Sequence, residues 1–371
     1  MDKPIILIVA GDPSGDLHGS RLARALQAGG ARVAAVGGPL LRREADEFLE
    51  DLASHAIAGF WEPIAKVGFL VRLGLRLRRY LSACRPAAVV CIDYYGFNRR
   101  VLGLAKAAGV PAYYFISPQV WASRAGRINT LKRLLRRMLV IFPFEETLYR
   151  EAGVPCTFVG HPLLDLIPAP ADRPALKPPF TIGLLPGSRS SEVRRHLPVF
   201  LEAFRLLQQA LPGSRALLFS CPHLPDSAYA PAAGLAELVR EDGYGRRAAL
   251  DLAIASSGTA TLENALLGLP MVVVYKMSWP TYAVARALVR VRHISMANIL
   301  AGRSLVPEFI QHEATPRRVA EAARALLEDP GRYARLRQDL LALRRVLGEP
   351  GAAQRAAQEI LASLREEAPA S

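Results

Sequence analysis

Acidic residues, cysteines and long apolar runs are all scarce in this chain of 371 residues, and each scarcity removes a class of function. Four cysteines (Cys84, Cys91, Cys156, Cys221) stand far apart with no Cys-x-x-Cys spacing. That excludes a disulfide framework and a thiolate metal cage. Three of them lie in or beside apolar strand-like runs, so reduced core thiols are expected. No uninterrupted apolar segment approaches bilayer-spanning length, and Ile5–Ala10 is too short for a signal-peptide core, which predicts a cytoplasmic protein. Neither a Gly-Lys-Ser/Thr triplet nor a Gly-x-Gly-x-x-Gly fingerprint occurs, so the Walker and dinucleotide loops are absent. Repeats, heptads and low-complexity tails are absent too.

The shortage of acid is the sharper clue. With 47 Lys and Arg against 33 Asp and Glu, the formal charge is +14. Such a charge attracts nucleic acid, an anionic membrane face or phosphorylated substrates; Arg-rich helix surfaces from a GC-rich genome give the same number without a partner. No RNP-like motif is present, and no basic stripe with interleaved aromatics lies outside Phe60–Leu81, so nucleic acid is not the expected partner.

What is present is a βα alternation. Apolar runs read as buried parallel strands over Ile5–Ala10, Arg32–Val36, Ala87–Ile92, Ala112–Ile116, Met138–Phe142 and Cys156–Val159, and again over Thr181–Leu185, Leu252–Ala255 and Met271–Tyr275. Ile167–Pro179, with five prolines, reads as a linker. The expected fold is therefore α/β: two Rossmann-like doubly wound domains facing a cleft, the plan of GT-B type glycosyltransferases. The boundaries are residues 1–166, a linker 167–179, a second domain 180–345 and a C-terminal helix 346–371. Pro198 predicts a fresh helix starting near His196.

Polar clusters follow the strand ends. The stretch Ser256–Glu263 is a small-residue turn onto a helix, where hydroxyls either cap the helix or, with its unpaired N–H groups, admit a phosphate. Glu263 is out of register for a capping box and so is free to take a ligand's hydroxyl pair; a phosphate with a diol points to a nucleotide. Pro186–Glu192 is a second glycine turn, where Arg189 is either a solvated loop residue or a fork for a diphosphate. Gly11–Gly19 offers Ser14, Asp16 and His18 where open sheets place ligands, with plain turn-making as the alternative, and Asp93 and His161 end later strands. With no Asp-x-Asp triplet, helix dipole and arginine are expected to stabilise a leaving diphosphate; no metal and no cofactor are called for. Phe60–Leu81 interleaves Trp, Phe and Leu with Arg and Lys, either as a helix lying on an anionic membrane or as a core helix with a solvated Arg face.

Seven stretches, in this order, resemble the lipid-A-disaccharide synthase family: Ala10–Gly19 (AGDPSGDLHG), Ser117–Arg124 (SPQVWASR), Phe142–Glu145 (FPFE), Phe158–Pro162 (FVGHP), Leu185–Glu192 (LPGSRSSE), Ser257–Glu263 (SGTATLE) and Asn298–Arg303 (NILAGR). The resemblance implies an inverting, metal-free transfer. A diacylglucosamine passes from its uridine diphosphate donor to the 6-hydroxyl of a diacylglucosamine 1-phosphate at the inner membrane face, by an enzyme that is a candidate homodimer. It implies a donor site of Gly187, Ser188, Arg189, Glu192, Ser257, Gly258, Thr259, Glu263 and Asn298, with Ser14 as a further substrate contact. Where many members read Asp-x-Pro-Asp-Phe-Asn, this chain has Asp93-Tyr94-Tyr95-Gly96-Phe97-Asn98, so the family's catalytic aspartate is replaced by Gly96. Asp93 is then the expected base, followed by Asp16 and His18, with His161 behind them. The competing readings are a related transferase acting on a polyprenyl-linked acceptor, and a nucleotide-sugar-binding or RNA-binding protein that has lost catalysis.

Overall fold

The computed structural model describes residues 3–54, 63–123, 126–169, 176–240, 243–288 and 292–366, which form two compact units. The first joins residues 1–165 to 347–371; the second is 166–346. In the first, β1 (Ile5–Ala10), β2 (Arg32–Gly37), β3 (Glu47–Asp51), β4 (Ala88–Ile92), β5 (Ala112–Phe115), β6 (Arg137–Val140) and β7 (Cys156–Phe158) make one sheet in the order β3-β2-β1-β4-β5-β6-β7. Every pairing is parallel. The central strands are buried on both faces, which is why they are apolar without alternation.

The second unit repeats the plan. Its strands β8 (Thr181–Leu185), β9 (Arg215–Phe219), β10 (Ala236–Val239), β11 (Leu252–Ser256), β12 (Met271–Tyr275) and β13 (Glu308–Ile310) run parallel in the order β10-β9-β8-β11-β12-β13. In each sheet the winding reverses once, between β1 and β4 and between β8 and β11. Loops at the carboxyl ends of those strands border a crevice where ligands bind.

Several expectations are corrected. The C-terminal helix expected in 346–371 is present as Ala352–Glu366, but it forms part of the first unit, where Glu359 pairs with Arg137 at 2.8 Å and Ser363 takes a 2.9 Å hydrogen bond from the Tyr113 hydroxyl. Pro198 starts no new helix. It sits inside the single helix Ser190–Ala210, whose buried Val193, Leu197, Phe200 and Phe204 hold the turn together despite the lost N–H. Only Cys91 and Cys156 are core thiols, for Cys84 is exposed and Cys221 half-buried.

Most of Phe60–Leu81 falls in the helix Pro63–Cys84; residues 60–62, and the linker residues 170–175, lie outside the described residues. Leu73, Leu77, Tyr80 and Leu81 turn inward, with Phe69 and Leu70 leaning on the same core. Val67, Val71 and Leu75 form an outward stripe at four-residue spacing, 49–58% exposed. The helix thus has a core face and, opposite it, an exposed face that carries this apolar stripe. No helix among the described residues is long and apolar enough to cross a membrane.

Candidate functional site

The loops after β8 and β11 meet at the second sheet's reversal and enclose a cavity of about 570 Å³, the size range of a nucleotide site. Each loop feeds a helix, Ser190–Ala210 from the first and Thr259–Leu266 from the second, so two sets of unpaired N–H groups and two positive dipole ends face one space. Gly258 holds φ +155°, ψ −162°, a region essentially reserved for glycine, and this swings the chain directly into the second helix. Gly187, at φ +121°, has no room for a side chain, because a Cβ would lie 2.6 Å from the Glu192 carboxylate.

Glu192 spends its carboxylate on the loop, accepting from Ser188 N (3.1 Å), Arg189 N (3.3 Å) and Arg189 Nη1 (2.9 Å). It shapes the loop. The Arg189 side chain is 75% exposed and swings from this pair at small cost. His223 Nε2 donates to the Ser188 carbonyl at 2.8 Å, bracing the loop from outside, and Cys221 Sγ lies 3.2 Å from its Nδ1. Ser257 lines the cavity but turns its hydroxyl back to the Ile294 carbonyl at 2.6 Å; Thr259 stands exposed at the helix start.

In the first unit the loops after β1 and β4 stand at the other reversal. Asp12 caps the helix Pro13–Ala28 through Gly15 N at 2.6 Å. Asp93 and Tyr94 both adopt φ +41°, a strained state for residues with side chains. The Asp93 carbonyl is fixed by Asn98 Nδ2 at 2.8 Å and by the Tyr114 hydroxyl, and its carboxyl feels the charge of Asp12. Burial, then the Asp12 charge, push that carboxyl up to about 6. Nearby, Glu145 is buried among three donors, Ser117 Oγ (2.6 Å), Trp121 Nε1 (3.1 Å) and Phe142 N (3.4 Å), and burial pushes it up to about 7.

The family model for lipid-A-disaccharide synthetase matches residues 6–362. The chain belongs to that family. The lipid-A-disaccharide synthase of Syntrophus aciditrophicus (strain SB) is 41% identical over 359 residues, covering 93% of this chain and 94% of the relative. The family is one of glycosyltransferases, and this chain is accordingly an enzyme of that kind. The fold is shared more widely. The MurG of Acinetobacter baumannii matches with a TM-score of 0.58 at 17% identity over 97% of this chain and 99% of that one. A putative UDP-N-acetylglucosamine 2-epimerase from Listeria monocytogenes matches at 0.63 and 12% identity over 98% and 96%.

Of the family residues carried over from the sequence, Gly187, Ser188, Arg189, Glu192, Ser257, Gly258, Thr259 and Glu263 line the one cavity. Three expectations need correction. Asn298 is fully buried behind it: its Oδ1 accepts from Leu305 N (2.7 Å) and Val306 N (2.8 Å), and its Nδ2 donates to Val306 O and Glu308. With every bond used inside the protein, it holds the helix Met296–Ala301 and contacts no ligand space. Glu263 is not unengaged, since Arg247 and Tyr244 both donate to it. Asp16 is no base: its buried carboxylate accepts from Gly38 N (2.8 Å), Leu40 N (3.0 Å) and Leu41 N (2.9 Å), capping the helix Pro39–Glu44 from a distance.

Ser14 is exposed in the first unit, in the first turn of Pro13–Ala28. His18 is a poor base as well, because burial, then Arg21, lower it to about 4; burial and His18 lower His161 to about 3. Sequence reading missed Arg247 and Tyr244 in the cavity, His223 bracing its loop from outside, and the buried Glu145. Gly96, in place of the family aspartate, is exposed in the first turn of Tyr95–Ala107.

Proposed function

We propose that the chain transfers 2,3-diacylglucosamine from uridine diphosphate to the 6-hydroxyl of 2,3-diacylglucosamine 1-phosphate, with inversion, giving the β-1,6 lipid A disaccharide and UDP. One observation supports this reading above the others: two helix N-termini, a mobile-headed arginine and a diol-accepting carboxylate converge in one cavity of a chain belonging to this family. The N–H groups and Arg189 take the charge that develops on the leaving diphosphate, while Glu263 takes the ribose hydroxyls. Asp93 removes the proton from the attacking hydroxyl. The experiment is direct: incubate the protein with donor and acceptor and look for the disaccharide by mass spectrometry. If UDP is released only with a polyprenyl-linked acceptor, the acceptor assignment is wrong; if none is released with either, so is the transfer.

Both substrates are acylated, and the outward face of the helix Pro63–Cys84 is the element of this reading that meets the inner face of the cytoplasmic membrane. Val67, Val71 and Leu75 enter the acyl boundary there, and the exposed Arg72, Arg78 and Arg79 meet anionic headgroups. Replacing Val67, Val71 and Leu75 together with Ser is expected to cut co-sedimentation with phosphatidylglycerol vesicles about tenfold while sparing UDP binding. Wild-type protein that stays in the supernatant at low salt would remove this role. Phe69 and Leu70, which lean on the core, are left unchanged in this variant.

A further inference from the structure

A carboxylate that must take two hydroxyls at once has to be held in one plane, and a lone glutamate on a helix surface rotates. In this cavity Glu263 is gripped from both ends. Arg247 Nη1 donates to Oε2 at 2.5 Å and the Tyr244 hydroxyl donates to Oε1 at 2.9 Å. The ion pair is shielded, its side chains 13% and 17% exposed. The Arg247 guanidinium also lies over the Phe219 ring at 5.6 Å and the Tyr244 ring at 5.4 Å. Aromatic faces hold a cation in place, so Arg247 is anchored toward Glu263, unlike the exposed Arg189. Both donors come from one short stretch, Tyr244 and the helix Gly245–Ala248 that it precedes, which sets their spacing.

Each carboxylate oxygen accepts about two hydrogen bonds. Among the described residues one position on each oxygen is taken, which leaves one on each, in a fixed plane, to match two adjacent hydroxyls on one ring. We infer that Arg247 and Tyr244 are positioning residues that make this cavity selective for ribonucleoside over 2′-deoxyribonucleoside diphosphates. The inference rests on the donor-site reading and specifies what Glu263 requires to serve it.

The test is calorimetric titration of the full-length protein with UDP and with 2′-deoxy-UDP, in wild type, Tyr244→Phe and Arg247→Met. Wild type is expected to prefer UDP by about tenfold, the worth of one hydrogen bond to a charged acceptor. In both variants the preference is expected to shrink to about twofold, through weaker UDP binding, while affinity for 2′-deoxy-UDP stays within about threefold. A general loss of packing would weaken both ligands alike, so equal losses, or a tenfold preference kept in both variants, overturn the inference. Tyr244→Phe retains the ring and decides the matter if Arg247→Met does not fold. Wild type that binds both ligands equally also overturns it while leaving the donor site standing; wild type that binds neither overturns the donor-site reading itself.

Discussion

Asp93→Asn is expected to fold, to bind UDP as wild type does, and to lose turnover by about 10²–10⁴-fold, the usual contribution of a positioned general base. Asp93 ends a buried strand at the point where the first sheet reverses, and its strained backbone is fixed by Asn98 and Tyr114. Its folded value is raised to about 6 by burial and by Asp12. A base works only when deprotonated, so wild-type turnover should fall as pH drops through about 6 and hold above it.

The rival bases behave differently. Asp16→Asn should show its loss in the melting temperature, because one carboxylate oxygen becomes an NH2 and at least one of the three backbone N–H groups loses its acceptor, at a cost of about 1–3 kcal/mol. Gly96 offers an internal control, since a Cβ there meets no atom within 4 Å. An aspartate fits, and Gly96→Asp added to Asp93→Asn should recover turnover if the family position can do the work. Near-wild-type turnover in Asp93→Asn alone would end the assignment.

Arg189→Ala and Glu263→Ala are each expected to weaken UDP binding by about 10–100-fold, as loss of a charge-assisted bond worth about 1.5–3 kcal/mol requires. They should differ in stability. The Arg189–Glu192 pair is exposed on the arginine side, so its removal leaves folding nearly untouched. Glu263→Ala strands the shielded Arg247 guanidinium, and a lowered melting temperature should accompany its loss of affinity. Calorimetry showing unchanged UDP affinity in both folded variants would take the donor out of this cavity.

Most of the sheet interiors were legible because strands buried on both faces must be apolar throughout: β1, β8 and β12 occupy the expected residues to the letter, whereas interior β9 (RALLF) was not read. Of the edges, only β7 was read. β3 (EFLED) and β10 (AELV) carry charge because one side of each faces no neighbouring strand, and β13 is only three residues long. Glycine turns announced the two loops that line the cavity, since few residues reach their backbone angles. Arg247 gave no signal, as its neighbour Arg246 has the same chemistry yet pairs with Glu237 in solvent. Asn298 misled because a motif residue can matter by holding a helix instead of a ligand.

The return of Ala352–Glu366 to the first unit sets an order on synthesis. Residues 166–346 leave the ribosome as a complete unit, while the one begun before them still lacks a helix. At about 5–20 residues per second, roughly 10–40 s pass between the synthesis of Asp165 and that of Glu366. During that interval the helix Pro13–Ala28 has no partner on the side that later packs against Ala352–Glu366, and Arg137 and Tyr113 await Glu359 and Ser363. A chain cut after Val346 would thus hold a finished second unit and a first unit still short of its last helix.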